Sequence, residues 1–281
     1  MKNKPKISII IPTWNGSKYI ERALNSVFSQ TFQDFEIIIV DDGSTDNMVY
    51  ILDKYIKENK VIYLKQENQG PGPARKNGVA HSEGEYIAFI DDDDIWSDNN
   101  KLKEQVEFLD NNPDHVMVGT AGVIYYEIDN EYRDYNVLIN DDDIRRRMLS
   151  GSNFIQSSVM VRRSVLGDLS IMPIVSKDIA EDYLLWLRLG LIGKMANIPK
   201  KMVIYTNRKG SITDENRDKV LKNNMKIISK YRNNYPNYYK YIIFYVFKYF
   251  VYCILSLIKN ERLKNKILKP LLIVHRKIIS K

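Results

Sequence analysis

Short aliphatic runs, most of them followed at once by a polar or acidic turn, constrain this chain more than anything else in it. Ile7 to Ile11 closes on Pro12, Glu36 to Val40 (EIIIV) runs into Asp41-Asp42-Gly43-Ser44-Thr45-Asp46, Val61 to Leu64 is a third run, and Tyr86 to Ile90 (YIAFI) ends in four consecutive aspartates, Asp91 to Asp94. Runs that are apolar on both faces are what a parallel sheet covered on both sides requires. Between them Ile20, Leu24, Val27 and Phe28 recur at helical spacing after Ser17, a predicted N-cap, and Met48, Ile51, Leu52 and Tyr55 do so after Asp46. Strand, helix, strand at intervals of about 25 to 30 residues is the βαβ period. It predicts a Rossmann-like nucleotide-binding layer reaching to about Trp96.

Ligands of such sheets sit beyond the carboxyl ends of the strands. The residues after each run are therefore the candidate site: Pro12-Thr13-Trp14-Asn15-Gly16, the Asp41-Asp42 turn and Asp91 to Asp94. The first turn lacks G-x-G-x-x-G, which argues against a dinucleotide dehydrogenase, and the chain has no G-x-x-x-x-G-K-[ST] phosphate loop. Where four aspartates stay extended, alternate side chains share a side, so Asp91 and Asp93 could point together. Like charges that close repel unless a divalent ion neutralises them, and Mg²⁺ or Mn²⁺ shared with a nucleotide diphosphate meets that need. A solvated acidic turn is the alternative, and Asp41 and Asp42 could equally cap the turn at Gly43-Ser44.

A second acidic constellation opens a helix: Glu181-Asp182-Tyr-Leu-Leu-Trp186-Leu-Arg188-Leu follows Asp178 and runs into an apolar face of Leu185, Leu189 and Ile192. Acids in a first turn are stabilised by the helix dipole, so capping alone would account for them.

Taken together, IIIPTWN, IIIVDDGSTD, ENQGPGPARKNG, GEYIAFIDDDDIW and EDYLLWLRL resemble the family 2 glycosyltransferases of the GT-A fold, from about Ile7 to Thr213. The resemblance implies an α/β fold, a Rossmann-like mixed sheet flanked by helices, with a C-terminal helical extension. It divides the chain into residues 1–214, catalytic, and 215–281, a basic helical tail. Residues 1–96 would be the nucleotide-sugar half and 97–214 the acceptor half.

The resemblance also implies roles. Pro12 and Trp14 would border the nucleotide, Trp14 stacking on the base, and Asp42 would accept a hydrogen bond from the base edge. Arg75 would meet the diphosphate, with an exposed helix-start arginine as the alternative. Asp91, Asp92 and Asp93 would face the donor, Asp93 as the direct ligand of Mn²⁺ or Mg²⁺ and Asp91 through ribose or water. Asp182 would be the general base, and Glu181 would support it or touch the acceptor. The implied reaction is an inverting, in-line transfer of a hexosyl or N-acetylhexosaminyl group from a nucleotide sugar, a UDP-sugar by expectation, to a hydroxyl of a glycan or lipid-linked glycan. A metal-dependent nucleotidyltransferase and a weakly active membrane-bound partner of another transferase are the alternatives.

One position departs from the family. Where its members commonly have Tyr-Arg-x-His, this sequence reads Tyr205-Thr206-Asn207-Arg208-Lys209, and an arginine cannot coordinate a cation. Arg208, with Lys209, is expected to contact the diphosphate instead; a slipped alignment or weaker metal dependence are the alternatives. Asn153 to Val161 reads as a strand beside the acceptor.

Charge separates the tail from the rest. Residues 219–281 hold fifteen Lys or Arg against Glu261 alone, so they carry +14, the first 218 residues carry −7, and the chain nets +7. Such asymmetry points to an anionic partner. Tyr241, Tyr245, Tyr249 and Tyr252 share one helical face among apolar residues, which suits a helix lying in a membrane interface. Residues 236–281 are therefore expected to meet an anionic membrane surface. Packing against the catalytic domain or in a homo-oligomer is the alternative. Nucleic acid is not expected, because the lysines alternate with apolar residues that themselves need burial. One cysteine, Cys253, excludes a disulfide framework. With a first apolar run too short for a signal-peptide core, the expected location is cytoplasmic, peripheral on the inner face of the cell membrane.

Overall fold

The computed structural model describes residues 4–167, 169–173, 181–208 and 217–257. Asp178, Lys209 and the segment 258–281 lie outside the described residues. In chain order the elements are β1 (Ile7–Thr13), α1 (Ile20–Phe28), β2 (Phe35–Asp41), α2 (Met48–Lys57), β3 (Ile62–Lys65), α3 (Pro71–Ala80), β4 (Tyr86–Phe89), β5 (Ile95–Trp96), α4 (Lys101–Asn111), β6 (His115–Tyr126), β7 (Glu131–Tyr135), α5 (Asp141–Arg147), β8 (Met160–Arg162), α6 (Arg163–Leu166), α7 (Glu181–Leu189), β9 (Lys194–Asn207), α8 (Arg217–Lys230) and α9 (Tyr238–Leu257).

The strands form one mixed sheet in the order β3-β2-β1-β4-β8-β6-β9-β5, with β7 added to β6. β3, β2, β1 and β4 run parallel, Ile9 opposite both Ile37 and Ala88. β8 joins antiparallel and β6 pairs β9 in parallel. Chain order reverses at β1, whose neighbours are β2 on one side and β4 on the other, which makes the carboxyl ends of these three strands a topological switch point.

Side-chain alternation along the strands sorts the aliphatic runs into two cores. Ile7, Ile9, Ile11, Ile37 and Ile39 face α1, α2 and α4, while Ile10, Ile38, Val40, Ile87 and Phe89 face α3, α5 and α7. α3 lies so close to the sheet that a Cβ on Gly78 would fall 2.6 Å from the Ile10 side chain. That proximity fixes the direction in which Arg75, one turn earlier, can reach.

Three local readings differ from the sequence expectation. The N-cap of α1 is Tyr19, not Ser17. The Ser17 amide instead donates to Asp46 Oδ2 at 2.9 Å, and Asp46 Oδ1 takes the Met48 amide, so one carboxylate pins the starts of α1 and α2 together. Of the span Asn153 to Val161, only Met160 and Val161 are strand; Gln156–Ser158 is a 3₁₀ turn that brings Ser157 to the site edge. Finally, the tyrosine face of the C-terminal helix packs inward. Tyr241 and Tyr245 are buried, their hydroxyls donating to the carbonyls of Arg146 and Ser150, and Tyr249 and Tyr252 lie against the same core. Leu221, Ile228, Tyr231 and Tyr235 of α8 and its following turn share that core with Trp186 and Leu187 of α7. A buried side chain of this size stabilises by about 1.5–3 kcal/mol, so these contacts hold α8 and α9 against the core around α7.

Candidate active site

The site is built on the switch point. Trp14 follows β1 and is 54% exposed at the mouth. Its loop is fixed by the next residue: Asn15, in the left-handed region at φ 54°, accepts the Thr45 amide at 2.8 Å and donates its own amide to Ser44. Pro12 stays inside β1, buried and opposite Val40.

The two aspartates after β2 are both buried and do different work. Asp41 accepts the Ser44 amide at 2.7 Å and the Tyr63 hydroxyl, closing its own turn. Asp42 accepts from Gln66 Nε2 and from the amides of Gln69 and Gly70, at 2.7–2.8 Å. A carboxylate offers about four acceptor positions, so Asp42 spends most of its capacity orienting the loop that launches α3.

That loop delivers Arg75. The arginine is not exposed at a helix start. It is 6% exposed, with one guanidinium nitrogen on Asp91 and another on Glu181, and its Nε has no hydrogen-bond partner among the described residues. Burial alone would lower its pKa, but Asp91 and Glu181 more than offset this and hold it above the ordinary value. The starts of α3 and α7 touch: a Cβ on Gly72 would fall 2.9 Å from Glu181 Cγ.

The aspartate run does not present one row of carboxylates. Asp91 faces Arg75 while its amide donates to Ser157 Oγ. Asp92 turns under β1, accepting the Thr13 hydroxyl at 2.5 Å, and burial with the neighbouring Asp93 charge pushes it up to about 7. Asp93 holds Arg208 Nε at 2.9 Å, and its carbonyl takes Arg22 and the Thr206 hydroxyl. Asp94 is fully buried, bound by Ser157 and by the Thr206 amide at 2.7 Å, and burial raises it well above the carboxylate range.

Arg208 stands at the mouth with its guanidinium 5.4 Å from the centre of the Tyr19 ring, and the Tyr19 hydroxyl is tied to Glu127. Asp182 lies beside Glu181 but makes no ion pair among the described residues; its Oδ1 accepts the Tyr183 amide at 2.7 Å. Burial first, then the Glu181 charge, push it up to about 6. Thr13, from the turn marked in the sequence, is joined by Arg22, Ser157 and Thr206, to which the sequence assigned no role.

Among the described residues no group of three or more His, Cys, Asp or Glu could hold a metal ion by itself. Magnesium and manganese sites commonly use one or two carboxylates with substrate phosphates filling the remainder. Asp93, paired through Oδ2 with Arg208, fits a cation held jointly with a diphosphate, while Asp91, two residues earlier, faces Arg75.

Comparison with known proteins agrees with this geometry. Residues 8–170, more than half of the chain, match the family model described as glycosyl transferase family 2. An uncharacterised glycosyltransferase of Rickettsia bellii is 30% identical over 236 residues, 82% of this chain and 33% of the relative. The chain thus spans about a third of the length of the first curated relatives it matches. Among solved structures, S. aureus TarS 1–349 in complex with UDP-GlcNAc superimposes with a TM-score of 0.60 at 23% identity, covering 86% of this chain and 71% of that one. The mannosyltransferase PcManGT of Pyrobaculum calidifontis, in complex with GDP-Man and Mn²⁺, gives 0.61 at 18%, covering 87% and 69%. Both likenesses are of fold, and that fold is GT-A. With the family model spanning the switch-point sheet and its aspartates, the chain belongs to the family 2 glycosyltransferases.

Proposed function

We propose that the chain transfers a sugar, with inversion, from a nucleoside diphosphate donor to a hydroxyl of a glycan or lipid-linked glycan. The observation that carries this reading is the Arg75 bridge. It neutralises Glu181 and ties it to Asp91 on the donor edge, which leaves Asp182 as the neighbouring carboxylate with no ion-pair partner among the described residues. A base raised to about 6 by burial is better matched to proton abstraction near neutral pH than an ordinary aspartate.

In this reading Trp14 offers its exposed face to the nucleobase and Asp42 its remaining acceptor position. A UDP-sugar is the favoured donor, in keeping with the UDP-GlcNAc complex of TarS. Asp182 takes the acceptor proton as the oxygen attacks the anomeric carbon from the face opposite the leaving group. Arg208 leaves Asp93 and meets the departing diphosphate, while Arg75 keeps Glu181 and Asp91 in place. A divalent ion held by Asp93, with Asp91 near, would add charge stabilisation of the diphosphate. An α-linked donor then yields a β-linked product.

The test is to incubate the protein and Asp182→Asn with a panel of nucleotide sugars and acceptors and to measure released nucleoside diphosphate and product anomer. Loss of turnover by about 10²–10⁴-fold with donor binding retained is expected. Undiminished turnover in the variant, or an α product from an α donor, would overturn the proposal.

A further inference from the structure

α9 is apolar on two sides, and among the described residues only one of them packs into the core. Tyr241, Phe244 and Tyr245 are buried, whereas Tyr239, Ile243, Val246, Phe247 and Phe250, on the other side, are 44–79% exposed. Their spacing keeps them on a single stripe along the flank of the helix. A contiguous exposed apolar stripe of this kind marks a contact surface.

The charges around it select the partner. α9 contains no acid, and α8 holds Asp218 alone against five Lys or Arg. By sequence, residues 258–281 add eight Lys or Arg and only Glu261. The ammonium groups of Lys240 and Lys248 lie 5.6 and 5.2 Å from the centres of the Tyr241 and Phe244 rings, on the border between the buried and exposed sides. From there long lysine stems can lie along apolar surface while their heads reach outward. A second copy meeting this stripe face to face would bring two strongly basic segments together, which like-charge repulsion opposes. A neutral apolar partner would make no use of the basic character of α8 and α9.

We infer that this stripe of α9 docks, in the plane of the surface, on a bilayer of anionic phospholipid. The aromatic and aliphatic side chains enter the boundary between headgroups and acyl chains, and the lysines meet the lipid phosphates. Among the described residues no helix is long and apolar enough to cross a membrane, and an exposed stripe along a helix flank is the geometry of a helix lying on one. The docking face is the side opposite the tyrosines that the sequence pattern suggested. The inference stands apart from the catalytic proposal, since it uses no residue of the site.

The experiment is co-sedimentation of the full chain with vesicles of phosphatidylcholine, with and without phosphatidylglycerol. Binding to the phosphatidylglycerol vesicles is expected, weakened by salt at about 0.5 M. Ile243→Asp with Phe250→Asp should weaken it roughly tenfold or more. The milder Val246→Ser with Phe247→Ser, checked by circular dichroism, keeps the test open if the charged pair disturbs folding, and should weaken binding several-fold. Wild-type affinity in both variants would overturn the inference, as would equal binding to pure phosphatidylcholine or no binding at all. A wild-type dimer in sedimentation equilibrium that both variants dissolve would overturn it in favour of a second copy.

Discussion

Arg208 Nε lies 2.9 Å from Asp93 Oδ2, so a fixed guanidinium charge already sits on the carboxylate proposed to hold a divalent cation. Arginine and cation compete for that oxygen, and a diphosphate resolves the competition because it attracts both. Arg208→Ala should therefore tighten Mn²⁺ binding to the nucleotide-free protein several-fold, read by electron paramagnetic resonance of free Mn²⁺. The same variant should weaken UDP binding in the absence of metal. Unchanged Mn²⁺ affinity would show that Asp93 holds no cation.

Asp182 is raised to about 6 by burial and by Glu181. In the proposed reaction its deprotonated form is the base, so activity should fall as pH drops through about 6, with a single ascending limb in kcat. The stability effect has the opposite sign. A carboxyl whose folded pKa lies above its unfolded value binds more protons in the folded state, so it stabilises least once pH exceeds both values. Asp182→Asn should accordingly raise stability at pH 8 by on the order of 1 kcal/mol, discounted for partial solvent access, while abolishing turnover. A lower melting temperature for this variant at pH 8 would contradict that assignment of the burial penalty.

Arg75 should matter for both folding and turnover. Removing one partner of a buried ion pair leaves uncompensated charge, a loss of about 3–5 kcal/mol, and here a single side chain serves two carboxylates. Arg75→Met is expected to lower stability by about that amount. Arg75→Lys, a point charge that cannot fork, should keep more stability but lose kcat with donor Kd little changed. Equal losses in kcat and donor binding would instead mean that Arg75 touches the donor.

These relationships differ in how far they could be read from sequence. The acids at the ends of β2 and β4 were legible because buried parallel strands must expose their carboxyl ends, so Asp42, Asp91 and Asp93 fall on one edge whatever the loops do. The bridge from Arg75 to Glu181 was not, because it spans 106 residues and depends on how closely α3 and α7 approach. Ser157 was hidden in an apolar stretch that reads as strand, yet the 3₁₀ turn makes it the floor beneath Asp91 and Asp94. The orientation of α9 was ambiguous for a different reason. A helix apolar all round carries no periodic signal of which side is buried, and only tyrosine hydroxyls finding carbonyls at Arg146 and Ser150 decide it.

Beneath that floor lies a lysine the chemistry does not use. Lys101 is fully buried, its Nζ donating to Gln105 Oε1 at 2.7 Å and lying 4.1 Å from the centre of the Trp96 ring, while Trp96 Nε1 donates to the Ser157 carbonyl. It has no carboxylate partner among the described residues, and burial pulls its pKa well below 10.5. An unfolded chain then binds more protons than the folded one between the depressed value and the ordinary one, so stability should climb with pH across that window. Lys101→Met keeps the volume and a sulfur against the Trp96 ring but removes the proton. Its stability at pH 7 should stay within about 1 kcal/mol of wild type, because the lost desolvation penalty offsets the hydrogen bond lost at Gln105. The diagnostic is the difference in melting temperature between the two proteins, followed from pH 6 to 10. Wild type should gain on the variant as pH rises, and parallel curves would mean that Lys101 is charged in the folded state, held by the Trp96 ring and Gln105.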